Sequence, residues 1–199
     1  MGAPKHPTTG KLVLIIGPSG VGKSVILKRL RLIHPEFHFP RSATTRVRRE
    51  GEGDELYHFL TDEAFDELQS QGKFLESATV HGVGRYATMI EEIIPAIEEG
   101  KTVVREVDVQ GFDSISHHPL FGDEKRHPLQ SIFIVPESKE QLIERIQNRA
   151  PISQEELARR LASMERELGY AGLCTNTIVN RNGKLEETIT KVEEMIKGE

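Results

Sequence analysis

The octapeptide Gly17-Pro18-Ser19-Gly20-Val21-Gly22-Lys23-Ser24 constrains this chain more than any other feature. It follows the pattern G-x-x-x-x-G-K-[ST]. Before it lies a β-branched and leucine-rich run, Lys11 to Ile16; after it, from Ser24 to His34, Lys28, Arg29 and Arg31 are spaced around Val25, Ile26, Leu27, Leu30 and Ile33. The unbroken apolar run predicts a strand buried on both faces, and the mixed spacing predicts a helix. Strand, glycine loop and helix form the context in which this pattern binds phosphate. Glycines let successive N–H groups turn inward around an anion, and the helix N-terminus adds its positive dipole end. In that arrangement residues Gly17 to Gly22 form the cradle, Lys23 reaches the β and γ oxygens, and Ser24 offers its hydroxyl to Mg2+. A nucleoside triphosphate site is therefore expected.

The alternation recurs. Thr102 to Val109, Ser131 to Val135 and Thr177 to Val179 read as strands, each followed by a helical stretch, and Ser138 with Gln141 and Ser153 with Glu156 fit the reciprocal capping box. Alternating strands and helices predict an α/β fold with a parallel sheet covered on both faces. Between Phe39 and Ala87 the apolar pieces shorten and glycine and charge increase, apart from one helix near Asp62 to Gln71, so this part reads as an inserted subdomain. Ser116 to Gln130, with Pro119, Gly122 and Pro128, reads as a surface excursion. Its His117, His118 and His127 lack the spacing of a metal site and are expected to be solvated.

Composition narrows the class. The 199 residues carry 26 Lys and Arg against 31 Asp and Glu, a net charge of −5, which disfavours nonspecific nucleic-acid binding and leaves room for a small anion held by a local basic cluster. Cys174 is the single cysteine, so no internal disulfide forms, and a reduced, cytoplasmic setting is expected. No apolar run approaches the ~20 residues that a membrane helix needs.

A second cluster places Arg46, Arg48 and Arg49 within four residues of Ser42-Ala43-Thr44-Thr45-Arg46-Val47-Arg48-Arg49-Glu50-Gly51-Glu52, followed by Tyr57-His58-Phe59. Arginine grips phosphate through two parallel hydrogen bonds, and nearby hydroxyls complete such a site. With Gly72-x-Phe-Leu-Glu76, Tyr86-x-Thr88, Glu106-x-Asp108-x-Gln-Gly111 and Ile178-Val-Asn180, these motifs give the chain, from about Leu12 to Ile196, a pattern that resembles guanylate kinase. The resemblance implies a nucleotide-kinase fold in one domain: a core at about 10–38, 90–140 and 165–199, a GMP-binding insertion at about 39–89, and a helical lid at about 145–164. It implies Mg2+-dependent transfer of the γ-phosphoryl group of ATP to GMP, with dGMP left open. Arg46, Arg49, Tyr57 and Tyr86 would hold the GMP phosphate, Ser42 and Thr88 would bond the guanine ring, and Glu76 and Glu106 would accept its N1–H and N2 hydrogens. Asp108 would lie near metal and substrate, Asn180 near the adenine, and Arg145, Arg149 and Arg160 at the transferring phosphoryl group. Lys23, Arg46, Arg149 and Arg160 are the expected catalytic set. The expected partners are ATP and GMP, with no nucleic acid and no membrane, in a monomer or weak homodimer.

The residue types suit that chemistry independently. Guanine presents two donors on its Watson–Crick edge, so carboxylates are natural acceptors, and phosphoryl transfer to an anionic oxygen needs alignment and charge neutralisation more than a base. Two other readings are a non-catalytic guanylate-kinase-like protein-binding module, against which Lys23, Ser24 and the lid arginines speak, and a kinase for another small phosphorylated substrate, against which the paired glutamates speak. The chain departs from the resemblance at Arg48, where Pro is usual, at Ala87, where Gly is usual, in a Gly53–Leu56 stretch one residue shorter, in a Val83–Arg85 stretch one residue longer, and in the lid at Arg149-Ala150-Pro151, where Gly-Thr is more usual.

Overall fold

The computed structural model describes residues 10–80, 83–122, 126–149 and 153–198, without the side chains at 145, 146, 148, 149 and 156. The elements run β1 (Lys11–Ile16), α1 (Lys23–Ile33), β2 (Ser42–Thr44), β3 (Tyr57–Phe59), α2 (Asp62–Ser70), β4 (Phe74–Val80) and β5 (Gly84–Met89). They continue with α3 (Ile90–Glu98), β6 (Thr102–Glu106), α4 (Val109–Ser116), β7 (Leu129–Pro136), α5 (Lys139–Arg149), α6 (Gln154–Leu168), a 3₁₀ turn at Gly169–Leu173, β8 (Asn176–Asn180) and α7 (Leu185–Lys197). The fold is α/β, with one sheet ordered β6-β1-β7-β8 and a second ordered β3-β2-β5-β4. Every strand of the second sheet lies within residues 39–89.

The chain divides into two compact units. Among the described residues one takes in the chain up to Leu12, Glu36–Val103 and Gln110–Leu129; the other takes in Val13–Pro35, Val104–Val109 and Gln130 onward. Leu12 to Ile16 are fully buried, as are Ile132, Phe133 and Ile134 of β7. That is the signature of strands covered on both faces. β8 pairs parallel to β7 in the register Ile134↔Ile178.

The second sheet has two unlike faces. Ala43, Ala87 and Met89 pack with Phe65 of α2, backed by Leu60, Leu68 and Phe74. Thr61 caps α2, its side chain accepting from Ala64 N–H at 3.2 Å. Ala87, at the position where the resemblance leads one to expect Gly, thus lies in the apolar layer against α2.

Two expectations change in detail. The run Thr102 to Val109 is not one strand: β6 ends at Glu106 and α4 begins at Val109. Val107 still donates to Ile15 carbonyl at 3.2 Å before the chain turns, so Asp108 lies beyond the strand's end and is exposed. At Ser138 only half of the capping box forms. Ser138 Oγ accepts from Gln141 N–H at 3.2 Å, but the Gln141 amide nitrogen donates to the Glu137 carboxylate at 3.3 Å, and its Oε1 does not accept the Ser138 N–H that would close the box. The second box falls on Glu156, whose side chain lies outside the described residues.

The 116–130 excursion is anchored by Phe121, which is 5% exposed, and His117 bonds the Asp113 carbonyl at 2.8 Å. Among the described residues no group of three or more His, Cys, Asp or Glu could hold a metal ion, and no helix is long and apolar enough to cross a membrane. Burial pushes the Cys174 thiol above its ordinary range, which suits a packing role.

Candidate active site

One candidate site is the glycine loop. Gly17 has φ 145°, and a Cβ there would stand 2.3 Å from the Ile134 carbonyl oxygen, so only glycine lets the loop leave β1 against β7. Gly22, at φ 106°, precedes α1 and carries no side chain to cap the helix's first N–H groups, an arrangement suited to an anion. Lys23 Nζ donates to the carbonyls of Gly17 at 2.6 Å and Pro18 at 3.2 Å, and lies 3.9 Å from Glu106. Burial lowers the Lys23 pKa, opposed by the charges of Glu106, Glu167 and Asp108.

Ser24 Oγ donates to Glu106 at 3.0 Å. The β6 carboxylate expected to read guanine is thus bonded to the phosphate loop in the same unit. This hydroxyl and carboxylate form a hard oxygen pair of the kind Mg2+ takes, along with phosphate oxygens and water. Asn180 is buried and spans Val21 and Thr188 through its side chain. Arg160 is exposed on α6. Arg145 and Arg149 belong to the backbone of α5, but their side chains lie outside the described residues.

Another candidate site, within the other unit, is a row across the second sheet. Tyr57 on β3 is opposite Ser42 on β2, Ser42 is opposite Thr88 on β5, and Thr88 is opposite Glu76 on β4. Opposed residues share a face, so four separate motifs become one line of polar side chains. Two residues along, Tyr86 opposes Thr44 on the same face. Glu76 joins through a β-bulge: Phe74 opposes Met89 and Glu76 opposes Thr88, which leaves Leu75 as the extra residue. The bulge puts Phe74 toward α2 and Glu76 on the other face, where Thr88 Oγ1 donates to its carboxylate.

Arg46, just past β2, is 8% exposed. Its guanidinium donates to both Glu52 carboxylate oxygens at 2.7 and 2.9 Å and to the Val47 carbonyl at 2.8 Å, and stands 5.1 Å from the Tyr57 ring centroid. Glu52, with Tyr86 adding to it, raises the Arg46 pKa further. The same bonds, with the Arg49 N–H at 3.0 Å, hold the Glu52 carboxyl down at about 2. The Arg49 side chain is exposed beside this turn. Arg48 donates to the Glu52 carbonyl at 3.0 Å and to Asp54, and its guanidinium is 4.2 Å from the Phe59 ring. Two departures, Arg48 and the shortened 53–56 stretch, therefore brace each other.

Sequence reasoning missed Glu52 as a partner of Arg46, although it stood in the quoted motif. Glu92 was missed as well. On α3 it accepts from His58 at 2.6 Å and from Arg41 at 3.0 and 3.2 Å, the neighbours of Tyr57 and Ser42. No local pattern marked it.

The Glu52 pairing carries an acid-stability prediction. A carboxyl held at about 2 when folded, against its ordinary 4.5, contributes stability above pH 4.5 and loses it as pH falls toward 2. Glu52→Gln should flatten this part of the acid transition, read as urea midpoints between pH 2.5 and 6. An unchanged pH dependence would mean that Glu52 is equally ionised in the unfolded chain.

Comparison with known proteins decides the family. The Guanylate kinase family profile matches residues 9–199. The chain belongs to the guanylate kinase family. It is 40% identical over 177 residues to the guanylate kinase of Trichormus variabilis, covering 88% of this chain and 85% of that one. It is 37% identical over 191 residues to that of Clostridium perfringens, covering 96% and 84%. The crystal structure of guanylate kinase from Anaplasma phagocytophilum superposes with a TM-score of 0.68 at 24% identity, covering 96% of this chain and 86% of that one, and so shares the fold. As a guanylate kinase the protein is a nucleoside monophosphate kinase, a nucleotide-binding transferase.

Proposed function

We propose that the reaction is Mg2+-dependent transfer of the ATP γ-phosphoryl group to GMP, giving ADP and GDP. The observation that carries this reading is the Tyr57, Ser42, Thr88, Glu76 row, which combines a carboxylate and hydroxyls suited to guanine with Arg46 for the phosphate. In this reading Arg46, Arg49, Tyr57 and Tyr86 hold the GMP phosphate. Ser42 and Thr88 bond the ring, and Glu76 accepts the N1–H and N2 hydrogens of guanine. A purine without those donors leaves a desolvated carboxylate unpaired, and this supplies the discrimination.

On the donor side the loop N–H groups and Lys23 hold the triphosphate, with Arg145, Arg149 and Arg160 of the proposed lid at 145–164 adding charge and Asp108 nearby. Ser24 and Glu106 would hold Mg2+, which when bound neutralises charge on the β and γ oxygens. The hydrogen bond from Ser24 supports this role for Glu106 over guanine reading. The acceptor oxygen is already anionic, so the protein needs no general base. It must align the two phosphates and screen their repulsion.

ADP release measured with GMP, dGMP, AMP, CMP and UMP as acceptors tests the proposal. GMP should exceed AMP in kcat/KM by at least about 100-fold, the scale of two lost bonds to a charged group. Equal use of AMP would overturn the guanine reading. No release with any acceptor would favour the non-catalytic module.

A further inference from the structure

The resemblance assigns Asn180 to the adenine, but in the structure this side chain is engaged inside the protein. Asn180 ends β8 and is 3% exposed. Its Nδ2 donates to the Val21 carbonyl at 2.7 Å, and its Oδ1 accepts from Thr188 Oγ1 at 3.0 Å. Thr188 is 2% exposed in the first turn of α7, and its hydroxyl proton is shared with the Lys184 carbonyl at 3.2 Å. A Cβ on Gly22 would stand 2.8 Å from Asn180 Nδ2, so the amide packs directly under the loop.

The peptide joining Val21 to Gly22 is planar and trans, so its carbonyl and its N–H point in opposite directions. Tying the Val21 carbonyl to Asn180 therefore turns the Gly22 N–H to the opposite side, where an N–H of this loop meets phosphate. Asn is the residue type this needs: it donates to a carbonyl while accepting from a hydroxyl, which Asp cannot do.

We propose that Asn180 and Thr188 are positioning residues that lock the Val21–Gly22 peptide in the anion-binding orientation, so that they act on the phosphates of the donor and leave its base unread. The inference rests on the donor-site reading of the glycine loop. A preset N–H contributes to binding without reorganisation when the anion arrives.

The test uses the full chain with Thr188→Val, Thr188→Ser and Asn180→Asp, each shown to be folded by circular dichroism and thermal melting. Dissociation constants for MgATP and for Mg-tripolyphosphate, which has no base, are measured by calorimetry beside KM for ATP and for GMP. Thr188→Val should weaken both ligands by the same factor, about fivefold to tenfold, the scale of one lost hydrogen bond. KM for ATP should rise with it, KM for GMP should stay within twofold, and Thr188→Ser should restore the parent values. Asn180→Asp should weaken both ligands more, since it sets a carboxylate against the Val21 carbonyl.

A loss confined to ATP would assign Asn180 to the base and overturn the proposal, as would unchanged affinities in folded Thr188→Val, failure of Thr188→Ser to rescue, or an equal rise in both KM values. Should Asn180→Asp not fold, the two Thr188 variants decide. GMP-dependent ADP release by the parent chain, measured in the same series, stands or falls separately.

Discussion

Lys23→Ala should lower kcat by about 10²- to 10³-fold while the protein stays folded, the scale of removing one preorganised charge from a transition state. The Lys23 ammonium sits inside the glycine loop, bonded to the carbonyls of Gly17 and Pro18, with Glu106 near it. Those bonds tie the ammonium to the loop backbone. They contribute only modestly to folding, because the truncated residue costs about 1 kcal/mol for each bond exchanged for water. Negative charge grows on the β and γ oxygens as the phosphoryl group leaves, so the loss should fall on kcat more than on KM for ATP. Circular dichroism and steady-state rates read the two effects apart. Activity within twofold of the parent would mean that Lys23 takes no part in transfer.

Arg46→Ala should lower kcat/KM for GMP by about two orders of magnitude, the scale of losing two charge-assisted hydrogen bonds to phosphate, with KM for ATP little changed. Arg46→Lys should recover less than a tenth of the lost activity. The guanidinium meets both Glu52 oxygens and the Val47 carbonyl at once and lies against Tyr57, and a single ammonium cannot reproduce that fork. Arg46→Ala should also lose stability, since among the described residues the Glu52 carboxylate then keeps only the Arg49 N–H of its present hydrogen-bond donors. Full rescue by Lys would show that charge alone matters at this position and that the pairing with Glu52 does not orient it.

The donor side was legible because its determinants are local. The run Lys11 to Ile16 has the bounds of β1, and α1 opens at Lys23, one residue before the expected Ser24, since Gly22 in a left-handed conformation ends the loop. Glu106 interrupts the apolar run Val103 to Val109, where an ionised group must find a partner. Its actual partners, Ser24 and Lys23, are more than eighty residues away along the chain, where no periodicity reaches.

The acceptor side was recognised through motif resemblance alone, and its geometry was not readable. β2 and β3 are three residues each, too short for any alternation to register. Strict alternation would place Glu76 on the face of Phe74; the bulge at Leu75 reverses this, and its signal lies in pairing with β5 rather than in β4 itself. Ala87 counted as a departure near the nucleotide, yet the register turns it toward α2. Arg48 and the short 53–56 stretch counted as two departures, and they are a single contact.

The proposed reader of guanine is Glu76, set by the bulge beside Thr88. The most direct measurement is kcat/KM for GMP and for AMP in the parent and in Glu76→Gln. An amide in place of the carboxylate weakens a charge-assisted bond and turns an N–H toward guanine donors unless it flips, whereas adenine, with an N1 acceptor and an N6 donor, gains a partner. GMP use should fall by about 1–3 kcal/mol, roughly 5- to 150-fold, with AMP use unchanged or slightly raised, so that the GMP to AMP ratio narrows. An equal fall for GMP and AMP would contradict it and leave Glu76 a residue of the sheet's stability rather than of base choice.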